Sequence, residues 1–148
     1  GHDFRWMMKQ SLRNIPFVGM ACAALKQIFV DNSSVQGIKR TMRDAEKELN
    51  KGMSLVVFPE GSRSRNGKMG RFKKGAFKLA IEFNLPVVPV TIDGSYDVMP
   101  RTAIAPRPGV IHLTIHEPIF PGKDGHDLDQ LMARSYEEIA SSLPEDKR

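Results

Sequence analysis

The order of apolar and polar positions along the chain predicts an alternation of strands and helices. Residues 4–8 (FRWMM) form a short apolar run that reads as a strand. Ile15 and Pro16 open a helix, proline being favoured in the first turn. That helix, PFVGMACAAL over 16–25, is apolar nearly all round, so it is either deeply buried or packed against lipid. QIFV over 27–30 is a second short strand. Asp31, Asn32, Ser33 and Ser34 supply capping side chains. Val35, Ile38, Met42, Ala45 and Leu49 follow at spacings of 3, 4, 3 and 4, an amphipathic helix that stops at Lys51 and Gly52. Residues 54–58 read as a strand whose run after Ser54 is continuously apolar, as in the middle of a parallel sheet.

Residues 59–73 read as a loop with glycines at 61, 67 and 70, residues 74–83 as a helix, and LPVVPVTI over 85–92 as another apolar strand. A Pro-rich, irregular connection fills 93–108. Residues 110–116 alternate, with Ile111, Leu113 and Ile115 on one face, and 128–143 form a last amphipathic helix. The pattern predicts a single α/β domain over 1–148, with a mostly parallel sheet flanked by helices. Ligands in such sheets sit past the carboxyl ends of the strands. The chain leaves the strand at 54–58 through Pro59 and places Glu60 and Arg63 at that rim.

Composition narrows the class. A chain of 148 residues with 41% apolar and 26% charged positions is an ordinary soluble globular domain. Its longest uncharged stretch, 14–25, is shorter than the ~20 residues of a membrane span. The opening GHDFRWMMK lacks the basic start and apolar run of a signal peptide. The single cysteine, Cys22, makes no internal disulfide and lies in an apolar stretch, which predicts a buried, inert thiol and a reducing compartment.

Charge changes the picture more. The formal net charge is +5, yet residues 60–78 alone carry seven cations (Arg63, Arg65, Lys68, Arg71, Lys73, Lys74, Lys78) against one acid, Glu60. Residues 117–148 carry eight acids and four bases. A nucleic-acid binder spreads its positive charge along a face. Here the surplus sits in one loop and the helix after it, which predicts a small-anion site, although a membrane headgroup layer is attracted as well. Arginine forks onto phosphate, and a carboxylate only accepts, so it wants hydroxyls or a cation.

Other chemistries fit poorly. A nucleotide phosphate loop needs four residues between its glycines and Lys-Ser/Thr after them; Gly61 and Gly67 enclose five, and Met69 follows Lys68. His112 and His116, four apart on a strand, lie roughly 13 Å apart, too far for one metal ion. They read as polar-face strand residues, and His126 beside Asp127 reads as part of a helix cap. No G-x-S-x-G elbow occurs. A basic run is ordinarily a solvated surface; this one begins where a buried strand ends, with proline and glycine fixing the backbone.

Residues 58–65, FPEGSRSR, resemble the F-P-E-G-[TS]-R-S signature of glycerolipid acyltransferases, in particular 1-acylglycerol-3-phosphate acyltransferases. Residues 9–19 (KQSLRNIPFVG) are similar to that family's K-x-x-L-x-x-I-P-x-x-G segment, 28–31 (IFVD) to its I-F-[VI]-D-R block, and 87–90 (VVPV), led by FKKGAFKLA over 72–80, to its V-P-V block. The resemblance covers roughly residues 4–120. It implies a glycerolipid-acyltransferase-like fold and a reaction in which the hydroxyl of lysophosphatidate attacks the thioester of acyl-CoA or acyl-carrier protein, giving phosphatidate, at the cytosolic membrane face. By the same resemblance Glu60 orients the glycerol hydroxyl, Arg63 holds the phosphate, Lys9 is a second phosphate contact, Gly61 lets the backbone approach the ligand, and Ser62 stands where the family has Thr or Ser. The acyl thioester is the only co-reactant implied; no metal, further cofactor or nucleic-acid partner is expected.

Two departures qualify the resemblance. The family's N-H-x-x-x-x-D block, whose His is the general base, does not occur in these residues. The expectation is an acyltransferase domain with its N-terminal part missing, lacking the catalytic base and any membrane anchor, and nearly inactive alone; His2-Asp3 reads as a tag or linker remnant. Asn32 stands where the family usually has Arg, which leaves the acyl acceptor open: glycerol 3-phosphate or an amino-acid lipid are alternatives. A reading of another class is a non-catalytic binder of anionic lipid surfaces, with the basic loop as anchor and the apolar helix at 16–25 as wedge.

Overall fold

The computed structural model describes residues 3–122 and 127–148, and the chain divides into two compact units, Gly1–Phe58 and Pro59–Arg148. The first holds strands β1 (Phe4–Lys9), β2 (Ile28–Val30) and β3 (Ser54–Val57) in the order β2-β1-β3, all parallel. Met7 stands opposite both Ile28 and Val57, so β1 is the central strand. The connections supply helices α1 (Val18–Ala24) and α2 (Val35–Leu49), with a 3-10 turn at Gln10–Asn14. These crossovers are what parallel strands require.

Helix α2 starts where the capping run predicts it. The Ser34 hydroxyl accepts the Gly37 amide at 2.9 Å. Its buried face differs from the apolar stripe: Gly37, Thr41, Ala45 and Glu48 are buried, while Val35 and Ile38 are exposed. Polar anchoring turns the helix. The Thr41 hydroxyl accepts the Asp31 amide at 3.1 Å and donates to the Gly37 carbonyl at 3.0 Å. Arg5 Nε, on the central strand, donates to Glu48 Oε2 at 3.1 Å, and Lys51 bonds the other carboxylate oxygen. Lys51 and then Arg5 hold the Glu48 carboxyl below its ordinary range, against the opposing effect of burial.

Of the two alternatives for the apolar helix, deep burial is excluded: Gly19 alone in α1 is buried, Met20 within it is 71% exposed, and Phe17 and Leu25 at its ends are 82% and 64% exposed. One sequence expectation fails in this unit. Cys22 is half-buried rather than enclosed.

The second unit holds α3 (Gly75–Glu82), β4 (Val90–Asp93), the single-turn α4 (Ser95–Val98), β5 (His112–Ile115) and α5 (Leu128–Ser141). Its core is Phe77 and Ala80 of α3 against Ile119 and Leu131, with Phe72, Val87, Leu128 and Met132 packed around them. Phe72 stacks on Phe77 at 6.1 Å and meets Tyr136 edge-on at 5.1 Å. Strands β4 and β5 pair antiparallel, Val90 opposite Ile115 and Asp93 opposite His112. The strand expected over 85–92 is therefore shorter and shifted. Pro86 and Pro89 lack the amide that a ladder needs, and only an isolated Val87–Ile119 bridge precedes β4. The apolar side of β5 stays open, with Leu113 and Ile115 65% and 75% exposed.

Buried polar groups in this unit are satisfied. The Thr91 hydroxyl donates to the Ile139 carbonyl at 2.8 Å, and its oxygen lies 2.8 Å from His116 Nε2. Because the hydroxyl proton is already committed, Nε2 is the donor of that pair. Asp127 caps α5 by accepting the Gln130 amide at 2.8 Å; His126, read as part of this cap, lies outside the described residues.

The Arg5–Glu48 pair links the central strand to α2, which gives a stability test. Glu48→Ala leaves the Arg5 guanidinium without its carboxylate and is expected to cost about 1–3 kcal/mol in urea unfolding. Arg5→Ala and the double variant should show non-additive losses; strict additivity would mean that the pair does not couple strand and helix.

Candidate anion-binding site

The basic loop is built from its own backbone needs. After Pro59 the chain turns at Gly61, whose φ of +70° is in the left-handed region, and a Cβ there would lie 2.6 Å from Lys73 Nζ. The requirement for glycine is thus met inside the protein. The Lys73 amide donates to the Pro59 carbonyl at 2.8 Å and closes the base of the loop. The Gly70 amide donates to Glu60 Oε2 at 2.8 Å, and a Cβ at Gly70 would sit 2.7 Å from that oxygen. Glu60 therefore clamps the two arms of the loop together. Its other oxygen, Oε1, accepts no hydrogen bond among the described residues.

The tip is equally determined. Ser64 Oγ donates to the Lys68 carbonyl at 2.7 Å, and the Lys68 amide donates to Asn66 Oδ1 at 3.2 Å. Tyr96 Oη donates to the Arg65 carbonyl at 3.0 Å, and the Met69 amide donates to the Lys147 carbonyl at 2.9 Å. Arg63, Arg65 and Lys68, held by these bonds to their backbone neighbours, line a shared hollow of about 480 Å³. Glu60, Ser62, Ser64 and Met69 line it too, and Arg101 and Arg148 add two further cations. Glu60 is the one acid among the lining residues.

The sequence-predicted residues separate as follows. Glu60 and Arg63 line the same hollow, as does Ser62. Gly61 forms the turn between them. Lys9 lies at the carboxyl end of β1, in the first unit, exposed and without an ion pair among the described residues. Of the other cations in the run, Lys74 pairs with Asp129 at 2.8 Å and Lys73 packs over Gly61. Arg101 and Arg148 escaped the sequence reading because they lie 38 and 85 positions beyond Arg63. Arg148 is fixed by its own bonds to the Leu143 carbonyl at 2.9 Å and the Ser141 carbonyl at 3.3 Å.

Lys147, an unremarkable cation in the sequence, is a strut. Its Nζ bonds Asp93 Oδ1 at 2.8 Å and Asp97 Oδ2 at 3.1 Å while its carbonyl holds the loop at Met69. The ammonium holds Asp93 below the carboxylate range, against burial and with help from the Gly94 amide. Asp93 and then Asp97 in turn raise Lys147 above the ordinary lysine value. His112 and His116 do not meet in a metal site: His116 is committed to Thr91, with Glu138 Oε2 3.6 Å from Nδ1, and no group of three His, Cys, Asp or Glu that could hold a metal occurs among the described residues.

A geometry of this kind suits a phosphate monoester with a hydroxyl nearby. Cations can fork onto phosphate oxygens, and an open carboxylate oxygen can accept from a hydroxyl. Comparison with known proteins bears on the family. The family model Acyltransferase matches residues 1–93. A chloroplastic 1-acyl-sn-glycerol-3-phosphate acyltransferase of Brassica napus is 32% identical over 148 residues, covering 97% of this chain and 41% of the relative. The 1-acyl-sn-glycerol-3-phosphate acyltransferase of Pseudomonas aeruginosa is 36% identical over 111 residues, 74% of this chain and 42% of the relative. The crystal structure of the acyltransferase PlsC from Thermotoga maritima superposes with a TM-score of 0.70 at 30% identity, over 96% of this chain and 59% of that one. The chain spans about two-fifths of the length of the curated relatives it matches.

The Lys147 strut predicts a pH signature. Asp93, depressed on folding, contributes stability that is complete above its ordinary value of 3.8 and disappears as pH falls through the lower folded value. Lys147, raised on folding, contributes below 10.5 and stops contributing as pH rises through its higher folded value. Lys147→Met should therefore lower the melting temperature by roughly 3–6 °C at pH 7. The gap from the parent should narrow at pH 3 and below; a gap constant down to pH 2 would contradict the strut.

Proposed function

The chain belongs to the acyltransferase family, and from that premise we propose that it binds the acceptor in an enzyme that acylates 1-acylglycerol 3-phosphate. The acyl group comes from acyl-CoA or acyl-carrier protein, and phosphatidate is the product. One observation carries the reading: Glu60 and Arg63, three residues apart, line one solvated hollow in which the carboxylate keeps a free oxygen. In the reaction the acceptor hydroxyl oxygen bonds to the thioester carbonyl carbon, the carbon–sulfur bond breaks, and the thiol takes up the proton that the hydroxyl gives up. This chain's residues do the holding. Arg63 and its neighbours fix the phosphate, and Glu60 Oε1 accepts from the glycerol hydroxyl, so the acceptor is bound at both ends of its polar head. Fixing a reactant in this way lowers the entropic part of the barrier. His116 is not offered as the base, since its ring is committed to Thr91.

The membrane is the proposed setting. No helix among the described residues is long and apolar enough to cross a bilayer. Exposed Phe17, Met20 and Leu25 on and beside α1 instead give an apolar surface suited to contact with the cytosolic leaflet that supplies the acceptor. The same exposure favours the second reading, a plain binder of anionic lipid surfaces, and the two differ in what Glu60 does.

Calorimetry with glycerol 3-phosphate and with inorganic phosphate separates them. Arg63→Ala is expected to weaken both at least about tenfold, the loss of one charged hydrogen-bonded contact. Lys78→Ala, on the exposed side of α3, should weaken neither. Glu60→Gln retains an acceptor for the Gly70 amide and should weaken glycerol 3-phosphate while sparing inorganic phosphate. Binding that ignores Glu60 and follows only the net charge of added vesicles would establish the surface binder instead.

A further inference from the structure

We propose that the hollow holds two phosphate groups at once, with Arg101 and Arg148 forming a second subsite beside the one centred on Arg63. The inference rests on the acyltransferase reading and adds to it. Charge is the first argument. Five cations line the hollow, Arg63, Arg65, Lys68, Arg101 and Arg148, against the single carboxylate of Glu60. A phosphate monoester brings about two negative charges at neutral pH. The acceptor alone therefore leaves the hollow positive by about two.

Pairing is the second argument. Two other cations of this unit are neutralised by acids: Lys74 meets Asp129, and Lys147 meets Asp93 and Asp97. Arg63, Arg65, Lys68 and Arg101 have no acidic partner among the described residues. Arg148 spends its guanidinium on two carbonyls, of Leu143 and Ser141, which aim it without neutralising it. Placement is the third. Arg101 lies outside the basic loop, in the connection after α4, while Arg148 follows the 3-10 turn at Glu145–Lys147. The Lys147 strut, with its bonds to Asp93, Asp97 and the Met69 amide, holds that carboxyl-terminal segment against the loop. A volume of about 480 Å³ exceeds the needs of one phosphate and falls in the range of pockets that hold a larger ligand.

The second group is a phosphate ester. It has two possible sources: the phosphates of a coenzyme A thioester, roughly four negative charges by the same ionisation, or the headgroup of a neighbouring anionic lipid. The test uses the chain with coenzyme A, dephospho-coenzyme A, glycerol 3-phosphate and phosphatidylglycerol vesicles, at one fixed low ionic strength. Arg101→Ala removes a side chain with no internal partner, so its fold should be intact; matching circular dichroism melts check this, and Arg148→Met is the second variant.

Coenzyme A binding is expected to fall at least about fivefold in Arg101→Ala, while glycerol 3-phosphate changes less than about twofold and binds in the presence of saturating coenzyme A. A smaller loss with dephospho-coenzyme A assigns the contact to the 3′-phosphate. Loss of vesicle binding in Arg101→Ala with coenzyme A unaffected also supports two phosphates and makes the second a lipid headgroup. Full competition between the two small ligands, or Arg101→Ala and Arg148→Met that alter neither coenzyme A nor vesicle binding, overturns the proposal. The acceptor assignment is read separately, from Arg63→Ala and glycerol 3-phosphate, so the failure of either is recognisable.

Discussion

The hydrogen bond from the Gly70 amide to Glu60 Oε2 decides whether the basic loop is a site or a solvated run of charge. Like charges about 7 Å apart repel by roughly 0.6 kcal/mol in water, and several-fold more where protein displaces the water. A loop with three unpaired cations and no internal ties would relieve that repulsion by spreading into solvent. Here the ties are numerous and mostly to backbone: Glu60 to Gly70, Ser64 to Lys68, Asn66 to Lys68, Tyr96 to Arg65 and Lys147 to Met69. They hold the cations together through the fold itself, so the positive field of the hollow is set by bonds within the protein.

Glu60 consequently has two parts to play, and its two oxygens divide them. Oε2 is spent on the fold and Oε1 is open. A strand that ends in one acid facing many cations makes sense on this basis. The acid is the clamp that keeps the cations in place, and it is also the one carboxylate among the residues lining the hollow.

Much of this was legible in the chain. The strands read at 4–8, 27–30 and 54–58, the cap at Ser34 and the helices read from Val35 to Leu49, at 74–83 and at 128–143 each have their counterpart, with ends shifted by one or two residues, and follow from apolar spacing and capping chemistry. Glu60, Arg63 and Ser62 are local in sequence and share the hollow. What escaped is non-local or depends on polar anchoring. The apolar stripe of α2 does not decide its orientation, because Thr41 and Glu48 are drawn inward by Asp31 and Arg5. Periodicity cannot foresee that, since it scores both residues as outward-facing. The run over 85–92 looks like one strand, but its prolines withhold the amides that would pair it, and only Val90–Asp93 remains. Composition leaves helix α1 either deeply buried or lipid-facing, and the structure exposes Met20 in it and Phe17 at its start. Hydrophobicity says that a surface must be covered, not by what.

The eight-residue signature at 58–65 therefore encodes only part of its own site. It supplies the clamp, the left-handed turn at Gly61 and two of the arginines that line the hollow, Arg63 and Arg65. It does not supply the bonds that hold Arg65 and Met69, which come from Tyr96 and Lys147. Nor does it supply Arg101 and Arg148. A chain with the same signature but without a hydroxyl at 96 and a cation at 147 would keep the turn and the Ser64 and Asn66 bonds, and would lose the Tyr96 bond and the ammonium strut that fixes residue 147. Its arginines would then be free to follow solvent and salt as ordinary surface charges do. The shape of the hollow thus belongs to the fold of the whole second unit: α4 presents Tyr96 and Asp97, β4 ends in Asp93, α5 receives the Arg148 fork at its last turn, and the signature loop is fastened between these supports.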